Sequence, residues 1–266
     1  MTNFSICLTK HTMSFPPHLI AKEAENRGFH CIFLPENSHV PINRDKTIKK
    51  FDDIKRLSKF YDPFITLAAC AAVTSKIKLG TSVCLLTQRD PENTARTVES
   101  LQTISNNRLI LGVAGGFVRE AMENHGSNFS RRWEIVRQRV LKMRDIWQKK
   151  NELNYPDKPK IDPLIWIGSN SNKVPERVAE YADGWLARGD VYKGFPSLDL
   201  KQACEKQGRN MNEITLSLMD APTSLTESKK AINDGYQNFV YFVSEDRKEQ
   251  VLHKLDDISK LIDRLR

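Results

Sequence analysis

Short β-branched or apolar runs recur along this chain, each followed by a segment whose apolar residues return at helical spacing, and this alternation constrains the fold most tightly. The runs fall at Ser5–Leu8, Cys31–Leu34, Ile77–Leu86, Leu109–Val113, Leu164–Gly168, Gly184–Ala187, Ile214–Met219 and Phe239–Val243. Strands separated by helices pair in parallel, because the chain must cross back over the sheet before it pairs again. Eight such units with no composition break between them favour a (β/α)8 TIM barrel, a single domain over residues 1–266. Closure removes both sheet edges, and eight strands leave an interior that side chains can fill. An open doubly wound sheet is the runner-up.

The helical segments carry their own punctuation. Asp62-Pro63 and Asp90-Pro91 each offer an N-cap acid followed by proline at the first helical position, so a helix is expected to begin at each. After Asp90 the residues Ala95, Val98, Leu101 and Ile104 step by three and are expected to face the sheet, with Glu92, Arg96 and Glu99 in water. The stripe after Ser130 is Trp133, Val136, Val140, Met143 and Trp147, and the stripe after Ser244 is Val251, Leu255, Ile258, Ile262 and Leu265. Tryptophan and methionine in such stripes are assigned to packing. No repeat, low-complexity stretch or linker divides the chain. The longer irregular stretches His39 to Tyr61, Glu120 to Phe129 and Lys149 to Pro163 are excursions, the first placed as a substrate-covering loop would be.

Composition excludes several classes. With 266 residues and a 39% hydrophobic share, the chain can bury a full core. No apolar run nears the roughly 20 residues of a membrane helix. Met1 to Lys10 lacks the features of a secretory signal, so a cytoplasmic protein is expected. The five cysteines, Cys7, Cys31, Cys70, Cys84 and Cys204, show neither C-x-x-C nor metal spacing and are read as reduced thiols. The net charge of +8 raises the question of nucleic acid. Yet Arg44, Lys46, Lys49, Lys50, Lys55, Arg56 and Lys59 share their segment with Asp45, Asp52 and Asp53, and Arg131 to Lys150 reads as a solvated helix face. No nucleic-acid partner is expected; attraction of a phosphorylated or polycarboxylated small ligand is.

In a barrel, chemistry sits at the carboxyl ends of the strands. Those ends are Thr9 to His11, Glu36 to His39, Ser82 to Thr87, Ala114 to Phe117, Gly168 to Ser171, Arg188 to Asp190, Asp220, and Ser244 to Asp246. Two carry glycines that let backbone approach a phosphate: Gly115-Gly116, and Gly168-Ser169-Asn170 ahead of a helix starting near Asn172 or Lys173. The second is the better anion cup, with the hydroxyls of Ser169 and Ser171 and the charge of Lys173, although Gly168 serves equally as a plain strand-to-helix turn. Asp220, Glu245 and Asp246 would repel phosphate from the commonest barrel site, after strands seven and eight. Glu36 and His39 close the second strand and can handle protons near a ligand. Composition alone favours ordinary hydrogen bonding for both. With no H-E-x-x-H, Walker loop or G-x-S-x-G, metal and serine-nucleophile readings have no anchor.

In order and spacing, several segments together resemble the bacterial luciferase-like family, and within it the small deazaflavin (F420)-dependent oxidoreductases. They are Ala24-Glu25 through Gly28-Phe29, Leu34-Pro35-Glu36, Asp62-Pro63-Phe64 with Leu67-Ala68, Lys76 to Val83, Asn107 to Gly116, Pro163 to Ser169, and Ala182-Asp183-Gly184-Trp185. The resemblance implies FMN or coenzyme F420 in the barrel mouth, backed by a non-proline cis peptide that maps to Ser82-Val83. It implies phosphate contacts from Gly168, Ser169 and Asn170, and close passage of Gly115 and Gly116. Hydride exchange or oxygen activation would then belong to the cofactor, acting on a small-molecule substrate in a chain that can be a homodimer. Many relatives carry histidine directly after the acid of strand two, where this chain has Asn37; His39 matches a second histidine of the small relatives. Asn37 also keeps open a noncatalytic flavin-binding protein of the same fold. A phosphate-binding barrel of another class, such as an aldolase, lacks a clear strand-end lysine.

Overall fold

The apolar runs become strands because both of their faces are covered, the inner by the barrel interior and the outer by helices. A computed structural model describes residues 2–10, 14–41, 57–153 and 160–266. His11, residues 42–56 with most of the charged segment from Arg44, and residues 154–159 lie outside the described residues. The strands are β1 (Asn3–Leu8), β2 (Cys31–Leu34), β3 (Lys78–Thr81), β4 (Cys84–Leu85), β5 (Leu109–Ala114), β6 (Leu164–Gly168), β7 (Gly184–Ala187), β8 (Thr215–Met219) and β9 (Asn238–Val243). All pairings are parallel. Pairing of β1 with β9 and of β3 with β5 closes the sheet, which is a (β/α)8 barrel and not the open alternative.

The run expected at Ile77–Leu86 is two pieces. Both β3 and β4 pair with β5, so they occupy one position of the eight. The break between them is the Ser82-Val83 peptide, which is cis.

Alternation along the strands sends one set of side chains inward. Cys7, Cys31, Phe33, Ile110, Trp166, Leu186, Met219 and Val240 fill the lumen, with the Phe33 and Trp166 rings 5.8 Å apart. The interior is therefore a plug, and Val83 and Phe242 pack on it. All five cysteines are free and buried.

The helices are α1 (Pro17–Asn26), α2 (Pro63–Val73), α3 (Pro91–Ile104), α4 (Arg119–Asn124), α5 (Arg132–Glu152), α6 (Val174–Tyr181), α7 (Pro196–Lys206), α8 (Leu225–Asn233) and α9 (Lys248–Leu265). Asp62 caps α2 by accepting from the amides of Phe64 and Ile65 at 2.9 and 3.0 Å, and Asp90 caps α3 through Asn93 at 2.8 Å. On α9, Val251, Leu255, Ile258 and Ile262 are buried, as are Val136, Val140, Met143 and Trp147 on α5. The α3 expectation needs correcting at its end: Ala95, Val98 and Leu101 are buried, but Ile104 is 63% exposed. Repeated steps of three fall short of a turn by about 60° each, so the third step carries the stripe to the opposite face. Stripes that alternate threes and fours stay put. Among the described residues no helix is long and apolar enough to cross a membrane.

Two polar anchors tie the helices together at the amino-terminal end of the barrel. Arg108, 6% exposed, donates to Ser105 O, Thr74 Oγ1, Ile77 O, Ala71 O and Thr74 O at 2.6 to 3.1 Å. Glu25 of α1 accepts from the amides of Ser75, Lys76 and Ile77 at 2.8, 2.7 and 3.1 Å. Burial alone would raise Glu25; those three amides outweigh it and hold the carboxyl down at about 2.

Candidate active site

Strand carboxyl ends carry backbone and side chains that the barrel leaves uncovered, and here they enclose a cleft of about 510 Å³. Its size and its mixed lining suit a cofactor-sized ligand. Of the residues singled out in the sequence, Glu36, Ser82, Val83, Gly116, Gly168, Ser169 and Asn170 lie on its wall. Gly115 is buried behind Gly116, and His39 is not on the wall.

The floor and the anion cup meet. A Cβ on Gly168 would stand 2.5 Å from Val83 Cγ1, so only glycine lets the end of β6 approach the Ser82-Val83 peptide this closely. Gly116 has φ +77°, a conformation that bare glycine adopts freely. Cys7 also reaches the cleft, but burial pushes its thiol up to about 12, so it is not a nucleophile at neutral pH.

At the cup, α6 begins at Val174 with Lys173 as its N-cap residue, one step later than the expected start. Ser169 Oγ accepts from the Ser171 amide at 3.3 Å, and Trp185 Nε1 donates to Ser169 O at 2.8 Å. Asn170 Oδ1 accepts from the Arg188 amide at 2.9 Å, which leaves its NH2 as a donor. The acids expected to repel phosphate are partly engaged: Asp246 pairs with Lys10 at 3.1 Å, and Asp220 lies 3.9 Å from Arg188.

Both oxygens of Glu36 accept hydrogen bonds. Its Oε2 accepts from the Leu85 amide at 2.6 Å, and its Oε1 accepts from Arg89 Nε at 2.6 Å. Arg89 reaches on to Asp62 at 2.6 Å and lies 4.9 Å over the Phe64 ring. Burial opposes the charge on Arg89, but Glu36 and then Asp62 more than offset it and raise its pKa above the ordinary guanidinium value. The carboxylate thus fastens β4 to the end of β2.

His39 belongs to a polar cluster beside the mouth. Its Nδ1 is 2.9 Å from Ser38 Oγ, and its Nε2 is 2.9 Å from Asn124 Nδ2. Ser38 Oγ donates to Gln88 Oε1 at 2.7 Å and is 3.1 Å from His125 Nε2. The amide of Asn124 donates to Nε2, which assigns the His39 proton to Nδ1. The imidazoles of His39 and His125 stand 5.6 Å apart. The His125 pKa is lowered, chiefly by burial and then by His39. Asn37 donates from Nδ2 to Leu57 O at 3.3 Å.

Sequence reading missed Arg89, Gln88, His125, Arg132 and Arg177. Trp133, assigned to packing, also faces the cleft, and Arg177 lies 4.4 Å over its ring. The legible signal was Arg131-Arg132 in the first turn of a long helix, where positive charge opposes the helix dipole. Among the described residues no group of three or more His, Cys, Asp or Glu is placed to hold a metal.

The family model for luciferase-like monooxygenases matches residues 18–264. An uncharacterised protein of Mycobacterium bovis is 28% identical over 203 residues, covering 69% of this chain and 71% of its own length. Among solved structures, an F420-dependent secondary alcohol dehydrogenase in complex with an F420-acetone adduct is similar with a TM-score of 0.75 at 13% identity, covering 100% of this chain and 99% of that one. A monooxygenase from Streptomyces bottropensis is similar with a TM-score of 0.73 at 14% identity, covering 99% and 100%.

Proposed function

We propose, for a chain that belongs to the luciferase-like monooxygenase family, that its barrel mouth binds FMN or coenzyme F420 and serves oxidation or reduction of a small organic substrate. The observation that carries this to particular residues is the contact of Val83 with Gly168, which joins a ring-sized floor to an anion cup in one continuous surface. Ser82 and Val83 back the ring. Gly116, with Gly115 behind it, leaves the opposite side free of bulk, and Gly168, Ser169 and Asn170 take the phosphate through backbone, hydroxyl and amide donors.

When bound, such a cofactor supplies hydride exchange, or activation of oxygen once reduced. The protein's part is to orient and to move protons. Glu36, expected to act as acid or base, is assigned a positioning role because both of its oxygens are committed. His39 is the imidazole assigned to proton transfer, joined to the cleft wall through Ser38 and Gln88. A homodimer is the assembly that the family resemblance implies.

A noncatalytic flavin-binding protein is the second reading, favoured by Asn37 in the wall and by His39 standing behind it. Titration of the pure protein with FMN and with F420, oxidised and reduced, followed by ring fluorescence, tests the first reading: one ring should bind saturably, and binding of neither overturns it. Turnover of any substrate with reduced cofactor, lost in His39→Ala, removes the second.

A further inference from the structure

Most cations around the mouth have carboxylate partners. Arg188 pairs with Asp190 at 2.7 Å, Arg89 with Glu36 and Asp62, and Arg119 with Glu123 at 3.7 Å. Arg132 and Arg177 have none among the described residues. The Arg132 guanidinium lies 4.2 Å over the Phe129 ring and donates to Phe129 O at 3.0 Å, while its aliphatic stem packs on Gly115. Arg177 lies over Trp133 and donates to Ser171 Oγ at 2.9 Å.

Three features make this arrangement unfavourable as it stands. Arg132 opens α5 and Arg177 is the fourth residue of α6, so both lie toward the helix end whose dipole opposes a cation. Each holds donors with no partner among the described residues, on a guanidinium that offers five. The two charges also work against each other: burial chiefly, with Arg132 adding to it, draws the Arg177 pKa below the ordinary guanidinium value, against Tyr181 and Glu176. Arg132 and Ser171 lie on the cleft wall beside Ser169. Two stacked, like-charged guanidiniums with spare donors fit a ligand that brings two negative charges and several acceptor oxygens.

We propose that Arg132 and Arg177, with Ser169 and Ser171, clamp a doubly charged phosphomonoester, and that the site therefore selects FMN over F420. This rests on the cofactor reading above. FMN ends in a phosphomonoester; the F420 phosphate is an inner diester with a single charge and a substituent that must be let past the clamp.

The test compares FMN, riboflavin, F420 and inorganic phosphate on the native chain and on Arg132→Gln, Arg177→Gln and the double variant. FMN should bind about 100-fold more tightly than riboflavin, as expected of two charge-assisted contacts. Each single variant should weaken FMN about tenfold while leaving riboflavin within about threefold, which also reports that the variant is folded. FMN and riboflavin binding alike, FMN preference surviving in the double variant, or F420 outbinding FMN overturns the clamp. If no ring binds at all, the cofactor reading falls and inorganic phosphate decides the clamp by itself. A rise in Tm with phosphate that the double variant loses upholds it, and no rise overturns it.

Discussion

Replacing Arg108 with methionine should lower stability by about 3 kcal/mol without touching the cleft. The guanidinium makes five hydrogen bonds, to acceptors at the end of α2, the entry to β3 and the end of α3. At about 1.5 kcal/mol for each bond from a charged donor, these would total roughly 7 kcal/mol. The variant escapes the desolvation of a buried cation, and water can reach some of the freed carbonyls, so about half of that is returned. The remainder corresponds to roughly 6 to 12 °C in Tm for a chain of this size. Thermal and urea unfolding by circular dichroism measure it. Arg108→Lys keeps the charge but brings at most three donors, so it should fall between the methionine variant and the parent. A methionine variant within about 1 kcal/mol of the parent, or a lysine variant no better than methionine, would refute the reasoning.

Three further outcomes are expected. The Glu25 carboxyl is held at about 2, below its ordinary 4.5, so it stabilises the fold above pH 4.5 and loses that contribution as pH falls toward 2. Glu25→Gln should cost about 2 kcal/mol at pH 7 after allowance for solvent screening, and the gap in urea midpoints should close by pH 2; a pH-independent gap contradicts the assignment. Gly168→Ala forces Val83 aside, and ring titration should show cofactor affinity down about tenfold or more with under about 2 kcal/mol lost in stability; unchanged affinity counts against the floor-and-cup surface. His39→Gln should leave cofactor Kd within about threefold of the parent and reduce kcat about 100-fold or more; single-turnover kinetics separate the two, and a kcat equal to the parent's removes His39 from proton transfer.

The strands were readable where punctuation bounds them. Cys31–Leu34 ends against Pro35, Leu164–Gly168 follows Pro163, and both match their expected limits to the residue. The expected fourth and eighth strands came out short because their ends are less typical. Asn238 looks like a loop residue, yet it begins β9 buried, its Oδ1 accepting from Ser5 and its Nδ2 donating to Ser217. The break at Ser82-Val83 is invisible in a β-branched run, and only the family resemblance located it. At the site, glycine and the strand-end rule found the cup. They could not find Arg89, which meets Glu36 across 53 positions of sequence, nor distinguish a cleft-facing arginine from a solvated one, because helical period reports the face of a helix and not what opposes it.

The two ends of the barrel use the same side chain in opposite ways. Arg108 has every donor answered by a fixed acceptor, and its loss must be felt as unfolding, since its five bonds join the end of α2, the entry to β3 and the end of α3. Among the described residues Arg132 and Arg177 each donate once, and each stacks on an aromatic ring that holds the guanidinium plane in position. Stacking fixes orientation while leaving the in-plane donors open. A chain that needed these charges only for stability would have answered their donors, with carboxylates as for Arg188 and Arg89 or with fixed carbonyls as for Arg108. Substitution at Arg108 should therefore move Tm and spare FMN affinity. Substitution at Arg132 or Arg177 should do the reverse, and can raise Tm by relieving the repulsion between them.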